Sequence, residues 1–509
     1  MVTFQQAISR LLTPTTASPE LAEQPAIVQV AGSAGGQVER LITYRDLEML
    51  IGRAARTYEE AGLVEHDTVV LCSANTPELV AGILACWVVG ATALPVDYRL
   101  TQGEVENIAS KVAAKLVYTP KALSATFPIP QIAQWSDARK TIDLASLSRL
   151  EASRNGLVIL TSGTTGMPKG ALHDLGSLIE NVVELGGTFG VTASTRALLP
   201  LPISHVFGIE VLLLAFIFGG TAVFADFAPA DFWRIVAQHR CSMVVGVPTI
   251  YGALMSIPAP HLDTILVDFY LSGGAPLPES LARQFDAKFS KRIIQGYGTT
   301  ETKILCFNKD GPVASVGRAM PSVRIEIVND QDRPVAEGET GEIRIAGPTL
   351  MKGYLNQPEA TDMVLHDGHY HTGDIGYVKD GYLFISGRSK EMIIVAGNKV
   401  FPAEVESVLR QHPAVSEVAV IGVPHRKLGQ LVKAIVVVQP GELSERLDAG
   451  IELQKPALEE LEANFRDFCR ENLKRELRPM DWEFRPCSHP LPKTHTGKID
   501  KKLLETASV

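Results

Sequence analysis

Short apolar runs with few charges alternate with helical patterns from Ile42 to about Ser386. Helical examples are Tyr44–Glu60 and Ser177–Leu185. The candidate strands are Thr68–Cys72, Leu157–Leu160, Met243–Val247, Ile265–Leu271 and Arg292–Ile294. Apolar strands that lie between helices are typical of parallel sheets covered on both faces. The pattern therefore predicts an α/β fold built around mostly parallel sheets.

One longer apolar segment has the length of a membrane span. The segment Leu79–Val96 contains eighteen residues without a charge, and about 18 such residues are enough to indicate a membrane helix. Gly90 interrupts this segment and Pro95 lies near its end. We interpret it as a buried helix followed by a strand, because a large α/β core holds such elements. No membrane span is expected.

The pattern changes twice toward the C-terminus. Between Pro321 and Gly347, two segments alternate apolar and polar residues around a turn-rich stretch, which indicates a small antiparallel, barrel-like unit with one solvated face. After Gly387 a short helix, two strands and an amphipathic helix indicate a separate α+β domain. We therefore predict a large N-terminal domain over residues 1–386 and a smaller C-terminal domain over residues 391–509.

Charge and cysteine content exclude several classes of protein. The chain carries 48 Lys and Arg against 57 Asp and Glu, a net charge of −9. Since no basic stretch offsets this charge, a nucleic-acid partner is not expected. The six cysteines form no CxxC pair, which argues against a disulfide framework or zinc site and favours a reducing cytoplasm. The N-terminus lacks the basic start and long apolar stretch of a signal peptide.

Chemically active residue types concentrate in a loop rich in glycine and hydroxyl groups. Leu160–Gly170 reads Leu-Thr-Ser-Gly-Thr-Thr-Gly-Met-Pro-Lys-Gly; it follows an apolar strand and is expected to precede a helix. Glycines expose backbone N–H groups, hydroxyls add donors and Lys169 adds positive charge, a combination suited to holding phosphate. The Walker spacing G-x4-G-K-[S/T] does not occur here, so the loop predicts a phosphate site of another kind.

Six motifs, including this loop, resemble those of the adenylate-forming superfamily: acyl-CoA synthetases, nonribosomal-peptide adenylation domains and beetle luciferases. The other five follow in the family's order: Gly273–Leu277, Gln295–Glu301, Tyr370–Asp374, Gly387–Lys390 with Gly397, and Pro492–Lys498. The chain is identified as a member, on the acyl-CoA synthetase branch. The resemblance implies that ATP activates a carboxylic acid to an acyl-adenylate, and that coenzyme A then takes the acyl group.

The resemblance also implies a role for each motif. The residues implied to bind ATP are Thr161, Ser162, Gly163, Thr164, Thr165, Lys169, Gly274, Ala275, Pro276, Tyr297, Gly298, Thr299, Asp374 and Arg388. Tyr297 offers its ring to adenine, and Asp374 accepts hydrogen bonds from ribose. Thr300 is implied to contact the α-phosphate, and Glu301 to hold Mg²⁺, which prefers carboxylate and phosphate oxygens. Lys498 is implied to reach the reacting carboxylate and α-phosphate, where converging negative charges require a cation.

The segment Pro202–Gly208 resembles the family's entry to the acyl pocket, with His205 as a catalytic gate near the substrate carboxylate. The residues implied to line the pocket are His205, Phe207, Val247, Gly273 and Gly296. No acidic residue occurs between Pro202 and Gly208, and a buried ammonium without a counter-charge is costly. We therefore expect an aliphatic, aromatic or polycyclic acid without an α-amino group.

The resemblance makes the C-terminal domain a lid joined by a hinge over residues 387–390. Rotation about Lys390 is implied to withdraw Lys498 and to bring the loop at Gly397 to coenzyme A. The family's Thr-His pair after the phosphate loop is replaced by Asp174 and Leu175, with a histidine displaced to the preceding position. Transfer to a carrier-protein phosphopantetheine or by a separate partner, a non-catalytic nucleotide-binding relative and luciferase chemistry remain alternatives. A monomer or homodimer is expected.

Overall fold

The structure is a computed structural model that describes residues 2–30, 39–121, 128–142, 147–148, 150–161, 168–258, 266–448, 454–493 and 499–507. The strands are β1 Pro25–Val30, β2 Glu39–Thr43, β3 Thr68–Cys72, β4 Thr92–Val96, β5 Leu116–Tyr118, β6 Gln131–Ile132, β7 Asn155–Thr161, β8 Lys169–Asp174, β9 Arg196–Leu199, β10 Thr221–Phe224, β11 Met243–Gly246, β12 Phe269–Ser272, β13 Ile293–Thr299, β14 Lys303–Asn308, β15 Arg318–Ala319, β16 Arg324–Val328, β17 Gly341–Ala346, β18 Gly353–Tyr354, β19 Leu365–His366, β20 His369–Lys379, β21 Tyr382–Arg388, β22 Ile393–Val395, β23 Asn398–Val400, β24 Val415–His425, β25 Gly429–Val438 and β26 Asp481–Arg485.

The α-helices are Phe4–Leu12, Pro14–Ala17, Tyr44–Glu60, Pro77–Val89, Gln102–Lys111, Leu175–Phe189, Val206–Ile217, Pro229–Gln238, Pro248–Met255, Glu279–Phe289, Pro358–Asp362, Pro402–Leu409, Glu442–Asp448, Gln454–Asn472 and Lys501–Ala507. Short 3₁₀ turns occupy Pro19–Leu21, Ser389–Glu391 and Arg475–Leu477.

Two large sheets dominate the N-terminal part, and both are mainly parallel. The first has nine strands in the order β15-β14-β13-β12-β11-β9-β10-β1-β2, and all neighbours from β13 to β1 are parallel. The second has seven strands in the order β18-β8-β7-β4-β3-β5-β6, and it is parallel from β7 to β6. Antiparallel strands extend both sheets at their edges. The predicted α/β class is confirmed.

The apolar segment with the length of a membrane span is a buried helix followed by a strand. The helix Pro77–Val89 ends at Gly90, which adopts the left-handed conformation with φ 84°, and glycine does so at little cost. The fully buried Trp87 donates its indole N–H to the carbonyl of Gly156 at 2.8 Å, which ties this helix to β7. Within the described ranges, every helix is too short or too polar to cross a membrane.

The predicted antiparallel unit is a five-stranded sheet. Its strand order is β16-β17-β20-β19, with β21 also pairing with β20. Ile343 and Ile345 are fully buried on one face, whereas Arg344 between them forms ion pairs with Glu326 and Asp332 on the other. The alternation of apolar and polar residues therefore has its expected cause, a sheet with one buried face.

The C-terminal part forms its own sheet and core. The strand order is β23-β22-β25-β24, and β26 lies parallel to β25. Val405, Phe465 and Cys469 from two helices are buried against this sheet. Lys390 lies in the 3₁₀ turn that connects β21 to β22. The predicted domain limits and the hinge at 387–390 stay predictions.

The structure corrects the boundaries of two predicted strands. The strand predicted over residues 265–271 begins only at Phe269; residue 265 lies outside the described ranges, and Leu266 is 54% exposed, so its apolar character did not reflect burial. The strand predicted at residues 292–294 begins at Ile293 and continues to Thr299. The helix expected after the phosphate loop is Leu175–Phe189, and β8 lies before it, pairing with β7 so that Thr161 stands opposite Lys169.

Candidate active site

Two neighbouring strand ends bring the predicted adenine-binding segments together. Strands β12 and β13 are parallel, with Ser272 opposite Gln295. The turn that starts at Gly273 follows β12 directly, and Gly274 has a φ of +76°, a conformation that side chains with a Cβ rarely adopt. Strand β13 continues past Gln295 to Tyr297. The turn predicted to contact adenine and the tyrosine predicted to stack on it therefore lie side by side.

Three predicted nucleotide residues from separate motifs form one hydrogen-bonded cluster. The Tyr297 hydroxyl donates to Asp374 Oδ2 at 2.7 Å, and Arg388 Nε lies 3.0 Å from Asp374 Oδ1. Asp374 and Arg388 face each other on β20 and β21, which fixes their distance. The Asp374 charge raises the pKa of Arg388, while burial and then Asp374 raise the pKa of Tyr297. Asp374 is therefore a buried hydrogen-bond acceptor that Tyr297 and Arg388 orient.

The predicted magnesium ligand belongs to a second cluster, around Tyr354. The Tyr354 hydroxyl donates to Glu301 Oε1 at 2.8 Å, and the Lys169 ammonium lies 4.7 Å from the centroid of the Tyr354 ring. Burial and the Glu301 charge raise the pKa values of Tyr354 and Tyr370. Since β18 pairs with β8, the segment that carries Tyr354 is fixed beside the end of the phosphate loop.

The turn that carries Thr300 and Glu301 rests on buried polar side chains. His173 Nε2 lies 2.8 Å from the Thr300 carbonyl oxygen, and the fully buried Lys303 places Nζ 3.2 Å from His173 Nδ1. Burial and the Lys303 charge hold the pKa of His173 well below its usual range. Burial also lowers the pKa of Lys303 and raises that of the fully buried Glu210.

Predicted pocket residues pack closely around the adenine turn. A Cβ added to Gly273 would lie 3.1 Å from the Phe207 ring, and one on Gly274 would lie 3.7 Å from Val247. A Cβ on Gly296 would meet the Phe307 ring at 2.8 Å. Phe207 and Val247 therefore pack against the adenine turn, and the close approach of the Phe307 ring favours glycine at position 296.

His205 directly precedes the helix Val206–Ile217. It lies close enough to Asp97 to affect its ionisation: burial raises the pKa of Asp97, but hydrogen bonds from Arg99 and then the nearby His205 bring it below its usual value. The predicted gate thus stands beside an acidic side chain from the segment after β4, a neighbour that sequence reasoning did not identify.

Some predicted residues lie outside the described ranges or away from these clusters. Ser162, Gly163, Thr164, Thr165 and Lys498 belong to the residues that the structure does not describe. Gly397, by contrast, lies in the exposed hairpin between β22 and β23 with a φ of +89°. The roles predicted for all of these residues stay predictions.

Sequence reasoning missed Tyr354, His173 and Lys303 as parts of the site. Tyr354 stands in an unremarkable Gly-Tyr pair, and its contact with Glu301 spans 53 positions. Lys303 and His173 are 130 positions apart. The available signal was position: Lys303 lies two residues after Glu301, and His173 occupies the displaced position in the altered Thr-His motif.

Comparison with known proteins identifies the family of this chain. Residues 17–355 match the model of the AMP-binding enzyme family, and residues 404–498 match that of the AMP-binding enzyme C-terminal domain. The chain is 32% identical to a long-chain-fatty-acid–CoA ligase of Mycobacterium tuberculosis over 486 residues, which cover 91% of this chain and 92% of that protein. It is 33% identical over 420 residues to a feruloyl-CoA synthase of an Amycolatopsis species, covering 79% and 84%.

The fold has a counterpart among solved structures. The crystal structure of ATP-bound MatB from Rhodopseudomonas palustris superposes with a TM-score of 0.83 at 26% identity, covering 99% of this chain and 98% of that one. The chain therefore belongs to the AMP-binding enzyme family, which confirms the predicted enzyme class and the predicted membership of the adenylate-forming superfamily.

Proposed function

We propose that the protein is an AMP-forming acid–CoA ligase that activates a carboxylic acid without an α-amino group. The observation that carries this proposal is the Asp374 carboxylate, which Tyr297 and Arg388 hold from two sides. A carboxylate has about four lone pairs, so each oxygen keeps a free acceptor position for a ribose hydroxyl. The CoA-ligase names of the relatives support the second half of the proposal.

The proposed reaction has two steps. The substrate carboxylate attacks the α-phosphorus of ATP and pyrophosphate leaves; the CoA thiolate then attacks the acyl carbon and AMP leaves. In the first step the substrate is the nucleophile, so the protein positions groups and neutralises charge. We assign Lys169, Thr300 and Lys498 to the phosphates, Tyr297 to adenine and Asp374 to the ribose.

Glu301 fits the proposed role of magnesium ligand. Its carboxylate is buried. Tyr354 orients the Oε1 atom, and Oε2 is the second oxygen of the carboxylate that would contact the ion. Mg²⁺ is usually held by one or two carboxylates together with substrate phosphates. The described residues contain no cluster of three potential protein ligands, in agreement with a site that the ATP phosphates complete. When bound, the ion supplies positive charge to the departing pyrophosphate.

The acyl pocket supports an apolar acid. The Phe207 ring lies against Gly273. The Pro202–Gly208 segment carries no carboxylate that could pair with an ammonium, and the Asp97 carboxylate near His205 is already paired with Arg99. We propose that the protein is located in the cytoplasm. All six of its cysteines are free of disulfide bonds and five of them are buried, as expected in a reducing compartment.

The test is ATP–pyrophosphate exchange across a panel of acids, each paired with its α-amino derivative. An unpaired buried ammonium costs several kcal/mol, so we expect the simple acid to be preferred by at least about 10²-fold. Preference for the amino form in most pairs would overturn the substrate assignment. Adding CoA and identifying the product by mass tests the acceptor: an acyl-CoA supports the proposal, whereas free acyl-adenylate without thioester contradicts it.

A further inference from the structure

A buried lysine beneath the Thr300–Glu301 turn connects three separate segments of the chain. Lys303 is completely buried and has a φ of +62°, which is uncommon for a residue other than glycine. Its Nζ lies 2.5 Å from the Thr349 carbonyl oxygen, 3.2 Å from Ser177 Oγ and 3.2 Å from His173 Nδ1. An ammonium has three N–H donors, so these contacts use all of them.

The contact with Thr300 determines the protonation of His173. A carbonyl oxygen can only accept, so His173 Nε2 must carry the hydrogen that it shares with the Thr300 oxygen at 2.8 Å. In a neutral imidazole the other nitrogen is then an acceptor, and Nδ1 faces the Lys303 ammonium. Lys303 thus selects the tautomer that holds the Thr300 carbonyl. The departure from the family's Thr-His motif has a structural explanation. His173 contacts the Thr300 carbonyl, and Asp174 caps the helix that follows.

Lys303 also fixes the segment that carries Tyr354. Its bond to the Thr349 carbonyl lies two residues before Met351, whose N–H donates to the Glu301 carbonyl at 2.7 Å. Tyr354 follows in the same segment and donates to the Glu301 carboxylate. One ammonium therefore ties together the backbone on which Glu301 stands and the segment that orients its side chain.

We propose that Lys303, acting through His173 and Thr349, is a positioning residue that sets Thr300 and Glu301 for reaction at the ATP phosphates. This inference rests on the proposed function, in which these two residues serve ATP and Mg²⁺. A purely structural role is the competing explanation, since the fully buried Glu210 carboxyl lies near enough to Lys303 to affect its pKa, and the two groups together keep this part of the core stable. The two explanations predict different results when Lys303 and Glu210 are both replaced by neutral residues.

The decisive comparison is Lys303→Met against the double variant Lys303→Met/Glu210→Gln. Removing one charge of a buried pair is destabilising, whereas removing both is often neutral. We expect the double variant to recover the wild-type melting temperature but not the kcat of pyrophosphate exchange. That kcat should stay about 10- to 100-fold low, the scale of an ångström-sized misplacement. Recovery of melting temperature and kcat together would overturn the proposal.

A second pair tests the contact through His173 without removing a buried charge. The side-chain amide of Gln can donate to the Thr300 carbonyl, so His173→Gln should retain most of the exchange kcat, whereas His173→Leu should lose about tenfold or more. Equal kcat in both variants contradicts the proposal. Leu47→Ala, a substitution at a buried core position of the helix Tyr44–Glu60, shows what lost stability alone does, and its kcat should match wild type. If Lys303→Met does not fold, the His173 pair decides.

Calorimetric ATP binding, with and without Mg²⁺, provides a readout that does not depend on turnover. Wild-type protein should bind ATP more tightly with Mg²⁺, and Lys303→Met/Glu210→Gln should lose most of that difference while keeping its affinity for ATP alone. An unchanged Mg²⁺ effect would count against positioning of Glu301. If wild-type protein shows no exchange with any acid, the proposed function fails, and this binding comparison still decides the role of Lys303.

Discussion

Replacing Asp374 by alanine removes the proposed ribose acceptor and two contacts within the protein. Asp374 is only 4% exposed, and its two oxygens already bind the Tyr297 hydroxyl at 2.7 Å and Arg388 at 3.0 Å. Two lost ribose hydrogen bonds to a charged acceptor cost about 3–6 kcal/mol in total, or about 10²- to 10⁴-fold in affinity. We expect Asp374→Ala to raise the KM for ATP by at least about 10²-fold and to leave the KM for the acid within about threefold.

Tyr297→Phe separates ATP binding from the internal contacts of Asp374. It deletes the hydroxyl donor but keeps the ring and the carboxylate, so we expect a loss of about 1.5–3 kcal/mol in the free energy of unfolding and less than a tenfold rise in the KM for ATP. Tyr44→Phe is the matched control, because the Tyr44 hydroxyl also donates at 2.7 Å, but to the neutral Gly220 carbonyl. Its loss should be about 0.5–1.5 kcal/mol, with an unchanged KM.

The assay combines pyrophosphate exchange at varied ATP and saturating acid with equilibrium unfolding in denaturant. An unchanged KM for ATP in Asp374→Ala would refute the ribose assignment. A rise of the same size in Tyr297→Phe would mean that the carboxylate mainly orients Tyr297, and that the ring is the true determinant of ATP affinity.

Three further predictions concern other parts of the site. Lys498→Ala should slow adenylation by about 10²- to 10³-fold while retaining thioester formation from supplied acyl-adenylate, and an exchange rate within about tenfold of wild type would remove Lys498 from the mechanism. Lys390→Pro should impair transfer more than adenylation, since proline fixes φ at a residue that must rotate; equal losses in the two half-reactions would argue against a hinge. Because burial and Lys303 depress the pKa of His173, the unfolded chain gains a proton near pH 6.5 that the folded chain does not. Unfolding free energy should therefore fall by about 1.4 kcal/mol between pH 7.5 and 5.5, and a His173→Gln variant with the same pH dependence would contradict this assignment.

Local sequence patterns were enough to predict the parallel sheets and the helix that ends at a glycine. The helix Pro77–Val89 and the strand after Gly90 follow from an uncharged run with one left-handed glycine. The antiparallel sheet follows from its period-two alternation at Ile343 and Ile345. Residue 266 shows the limit of such patterns: an apolar residue on the surface has the same sequence signature as a buried strand residue.

The supports of the site could not be predicted because they depend on contacts between distant segments. Lysine is almost never fully buried unless paired, so nothing in the sequence marks Lys303 as a buried residue. Its actual environment is created by β8, the helix Leu175–Phe189 and the Thr349 segment, none of which is near it in sequence. Motif order predicted which residues meet ATP, but it carried no information about the residues that hold them in place.

Asp374 and Glu301, the two carboxylates assigned to ribose and Mg²⁺, are both oriented by a tyrosine hydroxyl, but they differ in the charged group that lies nearby. Each accepts a phenol hydroxyl, from Tyr297 at Asp374 and from Tyr354 at Glu301. A neutral donor fixes a carboxylate without cancelling its charge. Asp374 also has the Arg388 guanidinium at 3.0 Å, which is compatible with the proposed ribose contact because hydroxyl groups need only an acceptor. Lys169, near Glu301, lies over the face of the Tyr354 ring, an arrangement that leaves the Glu301 charge available to a divalent cation and the ammonium available to phosphate.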